Sequence, residues 1–295
     1  MSTKVYEDIT NRILEQMETH GTNWVMPFEG DSRPSAGIPC NGLTGRPYSG
    51  INVLLLGFTG GHWATYKAWQ GAGYQVAKGE KGTGIIFFKQ YQKEVDGEKK
   101  TFPVVRSFTV FSSDQLDQSV KEFTPPPVRE YSDETEMVAE CDEWVSMLDA
   151  EINHTGKGRA CFIPSMDIIE MPNRELFSAT DTSTATECYY STLFHELTHW
   201  TGHKSRLDRL RTCRFGDKDY AFEELVAELG AAFLCASMGV SIEPRPDHAK
   251  YLNSWMRGLK EDPKVISTAA RLAQKAVDYM HGLVEAETTA TQEAA

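Results

Sequence analysis

Val5, Ile9, Ile13 and Met17 recur every four residues with polar positions between them, which predicts an amphipathic helix over 3–19 that ends near Gly21. From 23 to 46 the hydrophobic period disappears and Gly, Pro and Asn accumulate. Ile51–Leu56 is a continuous apolar run, short enough to be either a strand or a buried helical turn. Thr65–Gly71, with Tyr66 and Trp69, fits a short helix or an aromatic-faced loop. Gly84–Phe88 and Val104–Val110 are rich in β-branched and aromatic residues and predict strands, with Asp96–Gly97 between them as a hairpin turn. Three consecutive prolines, Pro125 to Pro127, then leave no room for a helix. Beyond them Asp133–Ala150, Thr186–Thr201, Tyr220–Met238 and Ile266–Met280 carry apolar residues at helical spacing. Ala160–Ile163 and Asp167–Met171 read as two short strands joined across Pro164–Met166. The expected fold class is α+β: a small mixed α/β domain over 1–124, a Pro-rich linker at 125–130, a mainly helical domain over 131–284, and a small, polar, disordered tail at 285–295.

Composition narrows the class without deciding the function. In 295 residues, 40% hydrophobic and 24% charged positions are typical of a globular chain and exclude wholesale disorder. The formal charge of -12 argues at first against a polyanion partner. Residues 1–128, however, hold 13 Lys/Arg and 13 Asp/Glu, so the deficit lies entirely downstream and the first domain can still present a basic face. The N-terminal segment has scattered charges and no apolar signal core, and runs such as Ile51–Phe58 are too short to span a membrane. Six cysteines without a CxxC pair read as free thiols in a reducing compartment. The expectation is a soluble, cytoplasmic protein with no membrane partner.

The strongest chemical signal is His195-Glu196-Leu197-Thr198-His199. At i, i+4 the two imidazoles share one helix face and can converge on one metal ion, while Glu196 can take a proton from a water that the metal acidifies. A catalytic zinc needs a third protein ligand, and the next strong helix supplies Glu224 and Glu228 on one face among Leu225, Val226, Leu229 and Phe233. One can bind the metal while the other accepts the outer N–H of a histidine. The order resembles that of gluzincins, which makes Glu224 the third ligand and Glu228 the orienting residue; Glu223 is expected to face solvent or a basic neighbour. The metzincin pattern is broken, because Ser205 stands where its third histidine belongs and His203 comes two residues early. His203 therefore either assists the reaction or plays a structural part. Tyr189 and Tyr190 can donate to a developing oxyanion or pack in the core. The strand from Asp167 to Met171 can be the edge that pairs with an extended peptide, or an ordinary core hairpin. Lys204, Arg206, Arg209, Arg211, Arg214 and Lys218 follow the motif and can contact phosphates or pair with nearby carboxylates.

In the first domain, Trp24, Tyr48, Trp63, Tyr66 and Trp69 are interleaved with Arg46, Lys67, Lys78 and Lys81. Rings that stack on bases, beside cations that neutralise phosphate, are the combination that binds single strands without reading sequence. The same tryptophans could instead form the core of a leucine-poor domain. Lys78 to Gly84 is glycine-rich and basic but lacks the spacing of a nucleotide-hydrolase phosphate loop.

Both halves also carry familiar strings. In the first are Pro27-Phe28 after Trp24, Tyr48 through Asn52, Trp63 with Thr65-Tyr66, and Val76 through Gly82. In the second are Asp167-Ile168 with Met171-Pro172, Tyr189-Tyr190, His195 through His199 with Gly202-His203, and Glu223 through Glu228. By these the chain resembles the ArdC-type antirestriction proteins of conjugative plasmids, whose N-terminal domain is similar to that of TraC-like primases. The resemblance implies an N-terminal domain that binds single-stranded DNA and a C-terminal zincin-like metallopeptidase domain using Zn2+, with Mn2+ or Co2+ as substitutes. It further implies protection of incoming plasmid DNA, and a first domain tethered to DNA by its rings and cations would bring the hydrolase to a protein or peptide substrate associated with DNA.

Overall fold

The computed structural model describes residues 2–21, 37–58, 60–95, 98–125, 133–180, 183–210, 218–240 and 249–294. The predicted first helix is α1 (Ser2–His20), whose Ile9, Ile13, Leu14 and Met17 are buried. Ile51–Leu56 resolves as a helix, α2, because five of its six side chains find apolar cover and an isolated strand would leave its backbone unpaired. Asn52 of α2 accepts from the backbone N–H of Ile86 at 2.9 Å and donates to its carbonyl at 2.7 Å, so its amide substitutes for a neighbouring strand.

That sheet has the order β1-β2-β4-β3, built from β1 (Cys40–Asn41), β2 (His62–Thr65), β3 (Thr83–Val95) and β4 (Glu98–Ser112). β3 and β4 form a long antiparallel ribbon in register from Thr83↔Val110 to Val95↔Glu98. The strands therefore run well past the predicted segments; the turn residues 96 and 97 lie outside the described set. Thr65 caps α3 (Tyr66–Gly71) by accepting from the N–H of Ala68 at 3.2 Å.

The second half comprises α4 (Glu134–Ser146), strands β5 (Glu151–Thr155), β6 (Cys161–Ile163) and β7 (Ile168–Pro172), and helices α5 (Ala185–Thr201), α6 (Lys218–Met238), α7 (Ala249–Glu261) and α8 (Val265–Ala294). β5 and α7 are additions to the predicted set. The i, i+4, i+8 series Tyr251, Trp255 and Leu259 is the signal for α7, and all three are buried. In the three-stranded sheet β7 is central, parallel to β5 and antiparallel to β6. Of the two readings of 167–171, a peptide-pairing edge or an ordinary hairpin strand, the edge is excluded: β5, unseen in the sequence, takes one side and β6 the other, and the edge strand near α5 is β6. The tail expected to be disordered is instead carried by α8 to Ala294. Its Glu and Ala residues favour helix, and the Thr288 hydroxyl returns a hydrogen bond to the Val284 carbonyl at 2.8 Å.

One apolar core runs through both halves. Ile13, Met17, Val53, Leu54 and Phe58 share it with Phe194, Leu225, Phe233 and Ala270. The Phe58 and Phe233 rings meet at a tilt with centroids 5.8 Å apart, and Arg12 donates to the Leu55 carbonyl at 2.9 Å. No described helix is long and apolar enough to cross a membrane.

Helices α5 and α6 meet closely at Gly230, where a Cβ would stand 2.5 Å from Thr198 Cγ2 and 2.6 Å from its Oγ1. The Thr198 hydroxyl is fixed by its 2.8 Å bond to the Phe194 carbonyl, so it cannot turn aside without losing that bond. Gly230→Ala is expected to destabilise the protein by about 1–3 kcal/mol through overpacking and to weaken metal binding by separating the two ligand-bearing helices. Chemical denaturation with and without metal measures both.

Candidate metal centre

Helix α5 starts from a capping box. Thr184 Oγ1 accepts from the Glu187 N–H at 3.2 Å, and a Glu187 carboxylate oxygen accepts from the Thr184 N–H at 2.8 Å. It then runs almost wholly buried between α6, α8 and the sheet, so its polar side chains are inside the molecule. His195 and His199 converge there, their Nε2 atoms 3.1 Å apart. Glu224 of α6 completes the group: its Oε2 lies 3.6 Å from His195 Nε2 and its Oε1 3.7 Å from His199 Nε2. Among the described residues this trio forms the one cluster whose ligand atoms all lie within 4.8 Å of one another.

Donors about 2.0–2.1 Å from a tetrahedral ion stand roughly 3.3–3.4 Å apart, and the three separations bracket that value. The surrounding charge points the same way. Glu196, Glu223, Glu224 and Glu228 are all buried, exposed by 3–6%, and the guanidinium beside them is that of Arg209. Among the described residues, four buried carboxylates stand against one fixed cation, which favours a divalent ion between them. The arrangement matches an HExxH-type metal motif of the gluzincin kind.

Each histidine meets a second carboxylate on its far side. Glu228 Oε2 lies 3.8 Å from His195 Nδ1, and Glu223 Oε1 is 3.1 Å from His199 Nδ1. Of the two expected environments of Glu223, solvent or a basic neighbour, it takes the second, buried beside His199 because Arg209 reaches it from the loop after α5. Arg209 Nε donates to Glu223 Oε2 at 2.8 Å, and its Nη2 donates to Oε1 at 2.9 Å and to the Thr198 carbonyl at 2.7 Å. Gly202 makes room for this strap, since a Cβ there would stand 3.0 Å from Arg209 Nη2. Burial alone would raise the Glu223 pKa, but hydrogen bonds from His199 and Arg209 hold its carboxyl below the usual range. Burial likewise opposes a charged His199, yet Glu223 and the other carboxylates raise its pKa above the ordinary 6.5.

Metal binding requires neutral imidazole, so protons compete with the ion at this histidine. Metal affinity is expected to fall on acidification through His199's raised pKa, by up to about tenfold per pH unit for each proton displaced. Calorimetry in buffers of different ionisation enthalpy counts the protons released, and no release near neutral pH would contradict the assignment.

Glu196 sits beside the ligands, and its Oε2 accepts from the backbone N–H of Phe162 on β6 at 2.8 Å. The edge strand thus touches the catalytic candidate directly. The Tyr220 hydroxyl is a further neighbour missed in the sequence: it hydrogen-bonds Glu224 from one helical turn earlier, and burial followed by that bond raises its pKa. The spacing Tyr220 to Glu224 was available as a signal.

Other expected site residues lie elsewhere. Tyr190 is fully buried and turned toward α4, its hydroxyl 2.8 Å from Asp142 Oδ1; it packs in the core instead of facing the metal cluster. Asp167 is paired with Arg206, whose hydrogen bond lowers its pKa, and lies 3.5 Å from His203 Nδ1. Arg206 also stacks over Trp200 at 4.0 Å and donates to its carbonyl at 2.6 Å. This trio straps the β6–β7 turn to the end of α5. Arg206 and Arg209 are thereby accounted for by carboxylates; Arg211 and Arg214 lie outside the described residues.

In the first half, Trp69 is fully buried, its indole N–H donating to the Phe111 carbonyl at 2.9 Å amid Tyr74 and Phe123. It is a core residue, because α3 packs that ring beneath the sheet. Trp63 and Tyr48 are half-buried together, with the Tyr48 hydroxyl 3.3 Å from the Trp63 carbonyl. Arg46, Tyr66, Lys67, Lys78 and Lys81 are exposed, and Trp24 lies outside the described residues.

Comparison with known proteins places this arrangement. A family described as the N-terminal domain of the anti-restriction factor ArdC matches residues 3–111, and one described as a zincin-like metallopeptidase matches 139–272. The antirestriction protein ArdC from the R388 plasmid, known from metal-free and Mn(II)-bound crystal structures, is similar with TM-scores of 0.75 and 0.74 at 36% and 35% identity, over 95% of this chain and 97% of that one. The Sinorhizobium fredii protein y4eC is 35% identical over 95% of this chain and 92% of its own. The DNA primase TraC of Escherichia coli is 34% identical over 93% of this chain, which spans 27% of TraC's length. With that identity over nearly the full length of the R388 protein, the chain belongs to the ArdC family of antirestriction proteins.

Proposed function

We propose that this protein binds single-stranded DNA without sequence preference and carries a zinc-dependent peptidase centre, together protecting incoming plasmid DNA during conjugation. The observation that carries the peptidase half is the trio His195, His199 and Glu224 with Glu196 beside it. Two imidazoles and one carboxylate suit Zn2+, with Mn2+ or Co2+ as substitutes, better than the carboxylate-rich two-metal sites of nucleases. Mn(II) in the R388 relative supports the assignment of a divalent ion to this trio. A bound ion supplies Lewis acidity, acidifying water and polarising a carbonyl.

The chain's own residues supply the remainder. Glu196 takes the proton from the attacking water and delivers it to the departing amine. Phe162 on the β6 edge offers its N–H to an extended peptide once Glu196 releases it. Glu223 holds the His199 imidazole in the tautomer that presents Nε2 inward, and Glu228, 3.8 Å from His195 Nδ1, is placed to do the same for His195 on closer approach. Tyr220 keeps the Glu224 carboxylate oriented.

The DNA half rests on the match of residues 3–111 to the ArdC N-terminal domain and on the exposed Arg46, Tyr66, Lys67, Lys78 and Lys81. We place the division between the two functions at 125–130, and the peptidase substrate among proteins associated with DNA. Conjugation into restricting and non-restricting recipients, with the natural chain and the Glu196→Gln variant, tests the combined reading. Equal protection by both would leave DNA shielding as the function and remove peptide hydrolysis from it.

A further inference from the structure

Phe87 and Phe108 are 54% and 42% exposed, on neighbouring strands of the β3–β4 ribbon. Their rings touch edge to face at 6.4 Å, so together they form one aromatic ledge in water. Scattered exposed hydrophobics are ordinary; two phenylalanines paired on a long ribbon are not. Arg106 is exposed and stands directly opposite Phe87 in the register.

Opposed residues of an antiparallel pair share a face, and faces alternate along each strand. By that parity Phe87, Phe108 and Arg106 lie on one face, which toward the start of β3 also receives Ile85, opposite Phe108, and Val110, both buried. Arg106 puts a cation beside the two rings in a chain whose formal charge is -12. The opposite parity contains Ile86, buried in the main core, and Val105, packed against that core. The apolar cover on this face stops at Ile85 and Val110, and beyond it the two rings and Arg106 are left in water.

We infer that the exposed ledge of Phe87, Phe108 and Arg106 is a docking surface for single-stranded DNA, with unpaired bases stacking on the rings and a phosphate held by Arg106. The inference rests on the single-strand-binding reading and gives it a place distinct from the tryptophan-rich segment. A single strand fits because its base faces are open to stacking, whereas a duplex buries them, and a ring with a cation directly opposite it matches a base with its phosphate.

The test is fluorescence anisotropy with the full-length chain and a labelled oligo-dT, comparing the natural protein with Phe87→Ala/Phe108→Ala and with Arg106→Gln. A Leu176→Ser variant, at an exposed position in the other half, serves as control. Loss of both rings is expected to weaken binding roughly 30-fold or more. Loss of Arg106 should reduce the slope of log affinity against log salt by about 0.7. Thermal melts confirm that the variants fold, which is expected since the replaced rings are exposed. Equal affinity of natural and double-variant chains would overturn the inference while leaving DNA binding intact. So would a self-association that the double variant abolishes without loss of DNA affinity. Failure of the natural chain to bind at low salt would end the underlying reading itself.

Discussion

Glu196→Gln is expected to bind its metal about as well as the natural chain and to lose peptide hydrolysis by about 10²–10⁴-fold, the range that a positioned general base contributes. The substitution keeps the size and one carbonyl oxygen of the side chain, so the Phe162 N–H can retain its acceptor. It removes the site that receives the proton. Because Glu196 lies outside the ligand trio, a structural role for the metal would survive the change unaltered. Turnover of a fluorogenic peptide library, followed beside metal content and melting temperature, separates the two effects. Retained turnover in a pure, metal-loaded Glu196→Gln protein would defeat the mechanism; lost turnover together with lost metal would assign Glu196 to ligation.

Arg209→Ala should cost about 3–5 kcal/mol of stability, since it strands the carboxylate of Glu223 in the interior without its cation. Both side chains are only 8% exposed, so solvent cannot take over the missing charge. The effect extends to the metal, because Glu223 fixes the ring of His199. Losing that orientation is expected to lower metal affinity by about 10–100-fold. Combining Arg209→Ala with Glu223→Ala should recover part of the stability, as the stranded charge is then gone, but none of the metal affinity. Urea denaturation of the two single variants and the double, with and without metal, gives the coupling energy directly. A cost below about 1 kcal/mol for Arg209→Ala would mean that the pair behaves as a solvated one.

The reach of the sequence can be seen residue by residue. Periodicity alone located α1, α5, α6 and the start of α8, and the i, i+4 spacing of His195 and His199 already brought two imidazoles to one helix face, because a helix repeat is a local property. The same local logic placed Glu196 beside the first ligand and offered Glu224 and Glu228 as partners on the next helix. Tertiary structure decided everything that depended on what lies opposite. Glu223 turned inward only because Arg209 arrives from a loop fourteen residues away, and no pattern within α6 announces that neighbour. Ile168–Pro172 became a central strand because β5, with mostly exposed side chains and no clear alternation, pairs on its far side. Trp69 and Tyr190 went to the core and Phe87 and Phe108 to the surface, against their hydrophobic ranking. Composition states how readily a side chain leaves water, whereas the packing of sheet against helix states which face has somewhere to go.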